Sequence, residues 1–192
     1  MALLYYSTLA SKPIVDRHGE KVAVLKDLIV RINPEAGKSE EKYPPLAGLL
    51  AQNNRILFWI PASQVETFDE KGIKLYSALL SLERFERRNG EILLGKDLLD
   101  KQLVDVEGRR VIRVNDLALG SRRLPHEQVA WLVGVDISFQ AILRRILPGG
   151  KAPRVRAVER NLDLLDWGDV QYFASSAPAV KLNVTHERIG KL

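Results

Sequence analysis

Apolar residues recur along the chain in short runs, each closed by glycine, proline or a polar cluster, a pattern that favours strands over long helices. Residues 3–10 are apolar and aromatic up to Lys12-Pro13, where the proline favours extended backbone before it. A strand or a short helical turn is expected there. Ile14-Val15 and Val22-Ala23-Val24-Leu25 predict two short strands, with Asp16 to Gly19 as the tight turn between them. Asp opens such turns by bonding nearby backbone, and Gly supplies the positive φ of a bulged hairpin. Residues 28–32 predict a further strand, 33–42 a loop, 46–50 a strand or helical turn, and 55–60 a central, buried strand ended by Pro61. Residues 73–85 fit a helix face through Leu75, Leu79, Leu82 and Phe85, and equally two strands through Ile73, Leu75, Leu80 and Leu82. The β character of the neighbouring segments favours strands.

The hairpin occurs twice. Residues 103–117 repeat residues 14–28 at a constant offset, since 105 − 16, 108 − 19 and 116 − 27 all equal 89. Asp16 and Gly19, with Asp105 and Gly108, are therefore assigned as structural turn residues, each hairpin closing on an Asp-Leu pair. The polar stretch 83–90 marks the boundary between halves. In the second half, 91–94 continues the β pattern, 96–100 predicts a short helical turn, and 129–136 is a strand matching 55–60 in role. Residues 139–147 have an apolar face and late arginines, as a short helix has, and stop at Pro148-Gly149-Gly150. Beyond 150 the basic, proline-bearing stretch predicts a linker, followed by a compact apolar-acidic segment at 162–167 and an alternating, exposed-edge strand at 180–184.

At 192 residues, 46% hydrophobic and 28% charged, the chain has the composition of a folded protein with a real core. The absence of cysteine excludes disulfides, thiolate metal sites and cysteine nucleophiles. The first residues lack the basic region and cleavage site of a signal peptide, and no apolar run approaches the ~20 residues of a membrane-spanning helix. A net charge of +5 and a pI near 9.5 suit an anionic partner. Much of the excess lies in Arg122, Arg123, Arg144, Arg145, Lys151, Arg154, Arg156 and Arg160, against the plainer alternative of a solvated basic face.

Reactive constellations are scarce. Gly149-Gly150-Lys151 lacks the earlier glycine and following hydroxyl of a phosphate-binding loop, no Gly-x-Ser-x-Gly elbow occurs, and His18, His126 and His186 are dispersed. Asp163, Asp166 and Asp169 would share a helix face suited to a hard cation, but capping or solvation explains them more simply. Phe58, Trp59 and Trp131 sit in apolar runs as core residues do; Trp167, beside acids and glycine, is the aromatic best placed for a surface or junction, with the core as the plainer alternative.

The pattern Lys-x-Ile/Leu-Val-Asp-x-x-Gly, continuing to Asp-Leu, is carried by residues 12–28 and again by 101–117, and it resembles the PRC-barrel family. The resemblance implies small, strongly bent β-barrels, of the kind found in the photosynthetic reaction-centre H subunit and in the ribosome-maturation protein RimM. Glu91-Ile92-Leu93-Leu94 with Asp97-Leu98-Leu99-Asp100, Arg113-Val114-Asn115-Asp116, Val133-Gly134-Val135-Asp136, Arg144-Arg145 and Asp166-Trp167-Gly168-Asp169-Val170 further resemble the N-terminal part of bacterial proteins related to the MgtE magnesium transporter. In those proteins a helical domain and paired CBS domains follow, about where this chain stops.

The expectation is thus a mainly β protein of two tandem PRC-barrel-like barrels with short helices, at 1–88 and 89–150, and a linker or extension at 151–192 leading towards an MgtE-type helical domain. It is expected to be a non-enzymatic regulatory or protein-interaction module without cofactor, catalytic or metal-binding residues. Its expected partner is the helical and CBS region or a transporter, met in the cytoplasm or at the cytoplasmic face of the membrane. The candidate partner surface is Arg144, Arg145, Lys151, Arg154, Arg156 and Trp167. An RNA- or ribosome-associated role of the RimM type is the alternative.

Overall fold

A computed structural model describes residues 2–32, 43–69, 71–77, 83–105, 111–124, 128–138, 142, 145, 164–167, 170–172 and 180–182. The chain is mainly β. In order, the elements are β1 (Ala2–Tyr5), α1 (Tyr6–Leu9), β2 (Pro13–Val15), β3 (Lys21–Arg31), β4 (Leu46–Asn53), β5 (Ile56–Pro61), β6 (Val65–Asp69), β7 (Gly72–Leu75), β8 (Glu83–Arg84) and β9 (Glu91–Leu93). They continue as a wide helical turn at Leu94–Leu98, β10 (Gln102–Asp105), β11 (Val111–Arg113), β12 (Asp116–Arg123), β13 (Gln128–Asp136), β14 (Leu164–Asp166), β15 (Val170–Tyr172) and β16 (Val180–Leu182).

Three sheets result, in the orders β1-β12-β13-β14, β11-β10-β16-β15 and β6-β7-β2-β3-β4-β5-β8, with β9 also paired to β3. None of them closes on itself among the described residues.

The repeat seen in the sequence is a repeat of topology. β2 pairs antiparallel with β3 and parallel with β7; β10 pairs antiparallel with β11 and parallel with β16. The single 11-residue β3 is divided in the second repeat into β11 and β12. The division falls at Asn115, and the same position in the first repeat is Lys26, where β3 bulges between Leu25 and Asp27. An extra residue in a strand bends it and loosens the local pairing, so one position produces a bulge in one copy and a break in the other.

The two repeats also exchange strands. β1, at the start of the first, runs antiparallel to β12 of the second, with Tyr5 opposite Ala118. β9, which opens the second repeat, runs antiparallel to β3 of the first, with Leu93 opposite Ile29. Ala118 and Ile29 are the same repeat position (118 − 29 = 89), and their partners match to within one residue (93 − 5 = 88). One apolar core consequently crosses the expected boundary at 88, joining Tyr6, Leu9, Leu25 and Leu28 to Ile92, Leu94, Leu98, Val114, Leu117 and Leu132. A smaller cluster, Ile29, Leu50 and Leu93, packs under Trp59 and Phe85.

Several local expectations need correction or refinement. Residues 3–10 form a strand and then a helical turn. The strand reading holds at Gly72–Leu75, while residues 78–82 lie outside the described ones. β5 is not buried throughout: it starts at a hairpin tip, leaving Ile56 62% and Leu57 41% exposed before Phe58 and Ile60 turn inwards. Strands β14, β15 and β16 come from the stretch expected as a linker or extension; β14 pairs with β13, β16 with β10, and β15 with β16. β16 lies between β10 and β15 and is no edge strand; a three-residue alternation cannot show how many neighbours a strand has. Of the expected helix at 139–147, Ile142 and Arg145 are described, and both are helical.

Candidate functional site at the junction of the repeats

The first turn after each exchanged strand is where the two repeats hold one another. α1 follows β1 and closes with the Ala10 N–H donating to Tyr6 O at 2.9 Å. The Leu94–Leu98 turn follows β9 and is wider, with the Leu99 N–H donating to Leu94 O at 3.0 Å. Neither turn has a side-chain cap of its own. Turns this short leave their N–H groups without internal acceptors, so each needs one from elsewhere.

Each turn takes that acceptor from the other repeat. Asp27, on β3, accepts the Gly95 N–H at 2.7 Å and the Lys96 N–H at 3.0 Å. Asp116, on β12, accepts the Ser7 N–H at 3.0 Å and the Ser7 hydroxyl at 2.6 Å. Both aspartates also accept the N–H of the following leucine, Leu28 at 2.8 Å and Leu117 at 2.9 Å. Asp27 and Asp116 are the Asp of the two Asp-Leu pairs, and Ser7 and Lys96 are equivalent (96 − 7 = 89). The contact is therefore made twice, in opposite directions.

Symmetry breaks at the centre. Tyr6 reaches over Gly95 and donates its hydroxyl to Asp27. Burial pushes the Tyr6 phenol well above its ordinary pKa, and the Asp27 charge adds to this, so it remains a donor. Burial also pushes the Asp27 carboxyl up, against the pull of the Gly95, Lys96 and Leu28 amides and the Tyr6 hydroxyl. Two carboxylate oxygens offer about four acceptor sites, and these four donors fill them. As a carboxylate, Asp27 thus has its acceptor sites engaged within the fold.

Beside this centre, Asp100 binds Arg145 through two bonds of 2.9 and 2.7 Å and Arg113 through one of 2.9 Å. The Arg145 guanidinium holds the Asp100 carboxyl well below the usual carboxylate range, with Arg113 adding to it against burial. The same ion pair, with help from Asp116 and Tyr6, pushes Arg145 up. Arg145, itself in helical conformation, is thus tied to the junction.

The residues expected to matter fall elsewhere. Asp16 and Gly19 make the expected turn: the Asp16 carboxylate accepts the His18 and Glu20 N–H groups at 2.8 and 2.9 Å, and Gly19 has φ 86°. Asp105 ends β10, and Gly108 lies outside the described residues. So do Arg144, Lys151, Arg154 and Arg156 of the expected partner surface. Arg145 is occupied by Asp100, and Trp167 is only 6% exposed and belongs to the core. Of the two readings of Trp167, the structure takes the core one over the partner surface; acidic neighbours in sequence do not keep an indole at the surface when the core has room for it. Trp59 and Trp131, expected in the core, are half-buried, with Arg88 lying 4.0 Å and Arg122 6.0 Å from their ring centres. Asp166 accepts the Tyr43 hydroxyl at 2.8 Å, while Asp163 and Asp169 are not among the described residues. Among the described residues no group of three or more His, Asp or Glu is arranged to hold a metal ion.

Sequence reasoning did not single out Tyr6 or Gly95, and it took Asp100 only as part of a resemblance motif. It took Asp27 and Asp116 as the ends of a hairpin motif, and Asp116 also as part of a resemblance motif, but neither as a contact between the repeats. The available signal was a carboxylate kept at one position of both copies inside otherwise apolar strands. A buried charge is costly and needs a dedicated set of donors.

Comparison of the chain with models of known protein families and with curated protein sequences finds no match.

Proposed function

We propose that the chain is a non-enzymatic interaction module: two PRC-barrel-like repeats fused by strand exchange into one rigid body that docks on a protein partner. The reading is supported above all by Asp27. This buried carboxylate of the junction spends its acceptor sites on the fold, and Asp116 and Asp100 likewise engage the other repeat and two arginines. A site built for chemistry keeps a lone pair or a proton facing an accessible space; this one holds two halves together. The partner class follows the resemblance of residues 91–170 to MgtE-related proteins: an MgtE-type helical and CBS region, or the transporter joined to it, reached from the cytoplasm. Isothermal titration of the 192-residue chain with that helical and CBS region in trans is the test. Saturable heat with a Kd below roughly 100 μM is expected, as for a standard protein interface. A flat titration at high micromolar concentration sinks the reading.

A further inference from the structure

The β4–β5 hairpin ends in a two-residue loop, Asn54-Arg55, with Asn53 paired to Ile56 across its base. Both loop residues have positive φ, 45° and 70°, which is the geometry of a type I′ turn. Asn tolerates that conformation, but the second position belongs to glycine, and an L side chain there is strained. Arginine is held at the tip in spite of this. Backbone strain that local structure does not require points to a use for the side chain.

Arg55 forms one wall of a shallow cleft of about 480 Å³ that also includes Lys21, Lys26, Gln52 and Asn54. Lys21, Lys26 and Arg55 are exposed, and among the described residues none of them has an ion-pair partner. The adjoining turn carries Arg17 and a single exposed acid, Glu20. Next to this cationic edge stand Ile56 and Leu57, two of the most exposed large apolar residues among the described ones. Cations around protruding aliphatic side chains match one environment in both respects. An anionic bilayer offers a negative surface with hydrocarbon directly beneath it. Single-stranded nucleic acid would want aromatic stacking surfaces in place of Ile and Leu.

We infer that the tip formed by Lys21, Lys26 and the Arg55-Ile56-Leu57 segment is a peripheral docking surface for anionic lipid membranes. Lysine and arginine supply the attraction to headgroups, and Ile56 and Leu57 enter the interface. The inference does not depend on the protein partner proposed above, since vesicle binding and binding to the helical and CBS region are measured separately.

The test is co-sedimentation of the full chain with phosphatidylcholine vesicles, with and without about one third phosphatidylglycerol. Binding to the anionic vesicles alone is expected, weakening steeply between ~0.05 M and ~0.5 M salt. Arg55→Gly is the decisive variant, because relief of strain makes it melt at or above the parent temperature while it partitions roughly fivefold more weakly, as loss of one surface cation implies. Lys21→Glu/Lys26→Glu abolishes binding, and Ile56→Ser/Leu57→Ser weakens it without changing its salt dependence. No difference between neutral and anionic vesicles, or unchanged partitioning of Arg55→Gly, overturns the inference. So does binding of a single-stranded RNA or of polyglutamate through these residues when vesicles are not bound.

Discussion

Tyr6 and Gly95 hold the same position in the two repeats, 95 − 6 = 89 residues apart, and they touch each other where the repeats meet. A Cβ on Gly95 would fall against the Tyr6 hydroxyl, 2.8 Å from Tyr6 Cζ and 3.1 Å from Asp27 Oδ1. A large residue in one copy fits only because the other copy has none. Two tyrosines would collide at this point, and two glycines would leave a hole.

Gly95→Ala is therefore expected to destabilise the chain by about 3 kcal/mol, the upper end for forced overpacking. Tyr6→Phe removes the nearest obstructing atom, so the double variant should lose less than the sum of the two single ones. Urea denaturation of the four proteins of this cycle measures the coupling.

Asp27→Ala leaves the Gly95, Lys96 and Leu28 amides without their acceptor, and Asp116→Ala does the same to Ser7 and Leu117. At 1–3 kcal/mol for each buried unsatisfied group, partly relieved by water, each variant should lose roughly 3 kcal/mol. The two losses should be similar although the residues belong to different repeats. Chemical denaturation decides this, and a loss confined to one of them speaks against a reciprocal lock.

The pH dependence of stability carries opposite signs at two carboxylates. The Asp27 pKa is raised from 3.8, so its contribution is fully present below that value and is lost as pH rises through the folded pKa. The Asp100 pKa is lowered, so its contribution is present above 3.8 and is lost as pH falls through the folded pKa. Asp27→Asn should remove a decline in stability above pH 3.8, and Asp100→Asn should remove a decline below it. Melting temperatures across the acid range separate the two.

Ser11 and Asp100 are also equivalent positions, and both have φ 63°. Ser11→Gly relieves that strain and should stabilise by up to about 1 kcal/mol. Asp100→Gly relieves the same strain but gives up the bonds to Arg113 and Arg145, so it should gain nothing or lose stability. Thermal melts of the two variants make the comparison.

How much of this was legible beforehand depended on range. The Asp16–Gly19 turn was readable because its bonds run between residues a few positions apart. The β class and most strands of the first half followed from alternation and turn residues. The lock was not readable, because Ser7 and Asp116 are 109 residues apart and nothing local in either one names the other. The exchange of β1 and β9 was hidden for the same reason: a short apolar strand carries no label for its partner. The strands at Leu164–Asp166 and Val170–Tyr172 were missed because each has only three residues, too few for periodicity to show; the one at Val180–Leu182 was expected from its alternation, but as an edge strand. Arg145 was read as free charge because its counter-ion, Asp100, lies 45 residues earlier.

Native-state hydrogen exchange at the Ser7 and Lys96 amides tests the central claim most directly. If the repeats lock one another through Asp116 and Asp27, both amides open only with the whole molecule, and their opening free energies should fall together on one line as urea is added. Ser7 exchanging as freely as a frayed terminus while Lys96 and the β3 amides remain protected would contradict the account.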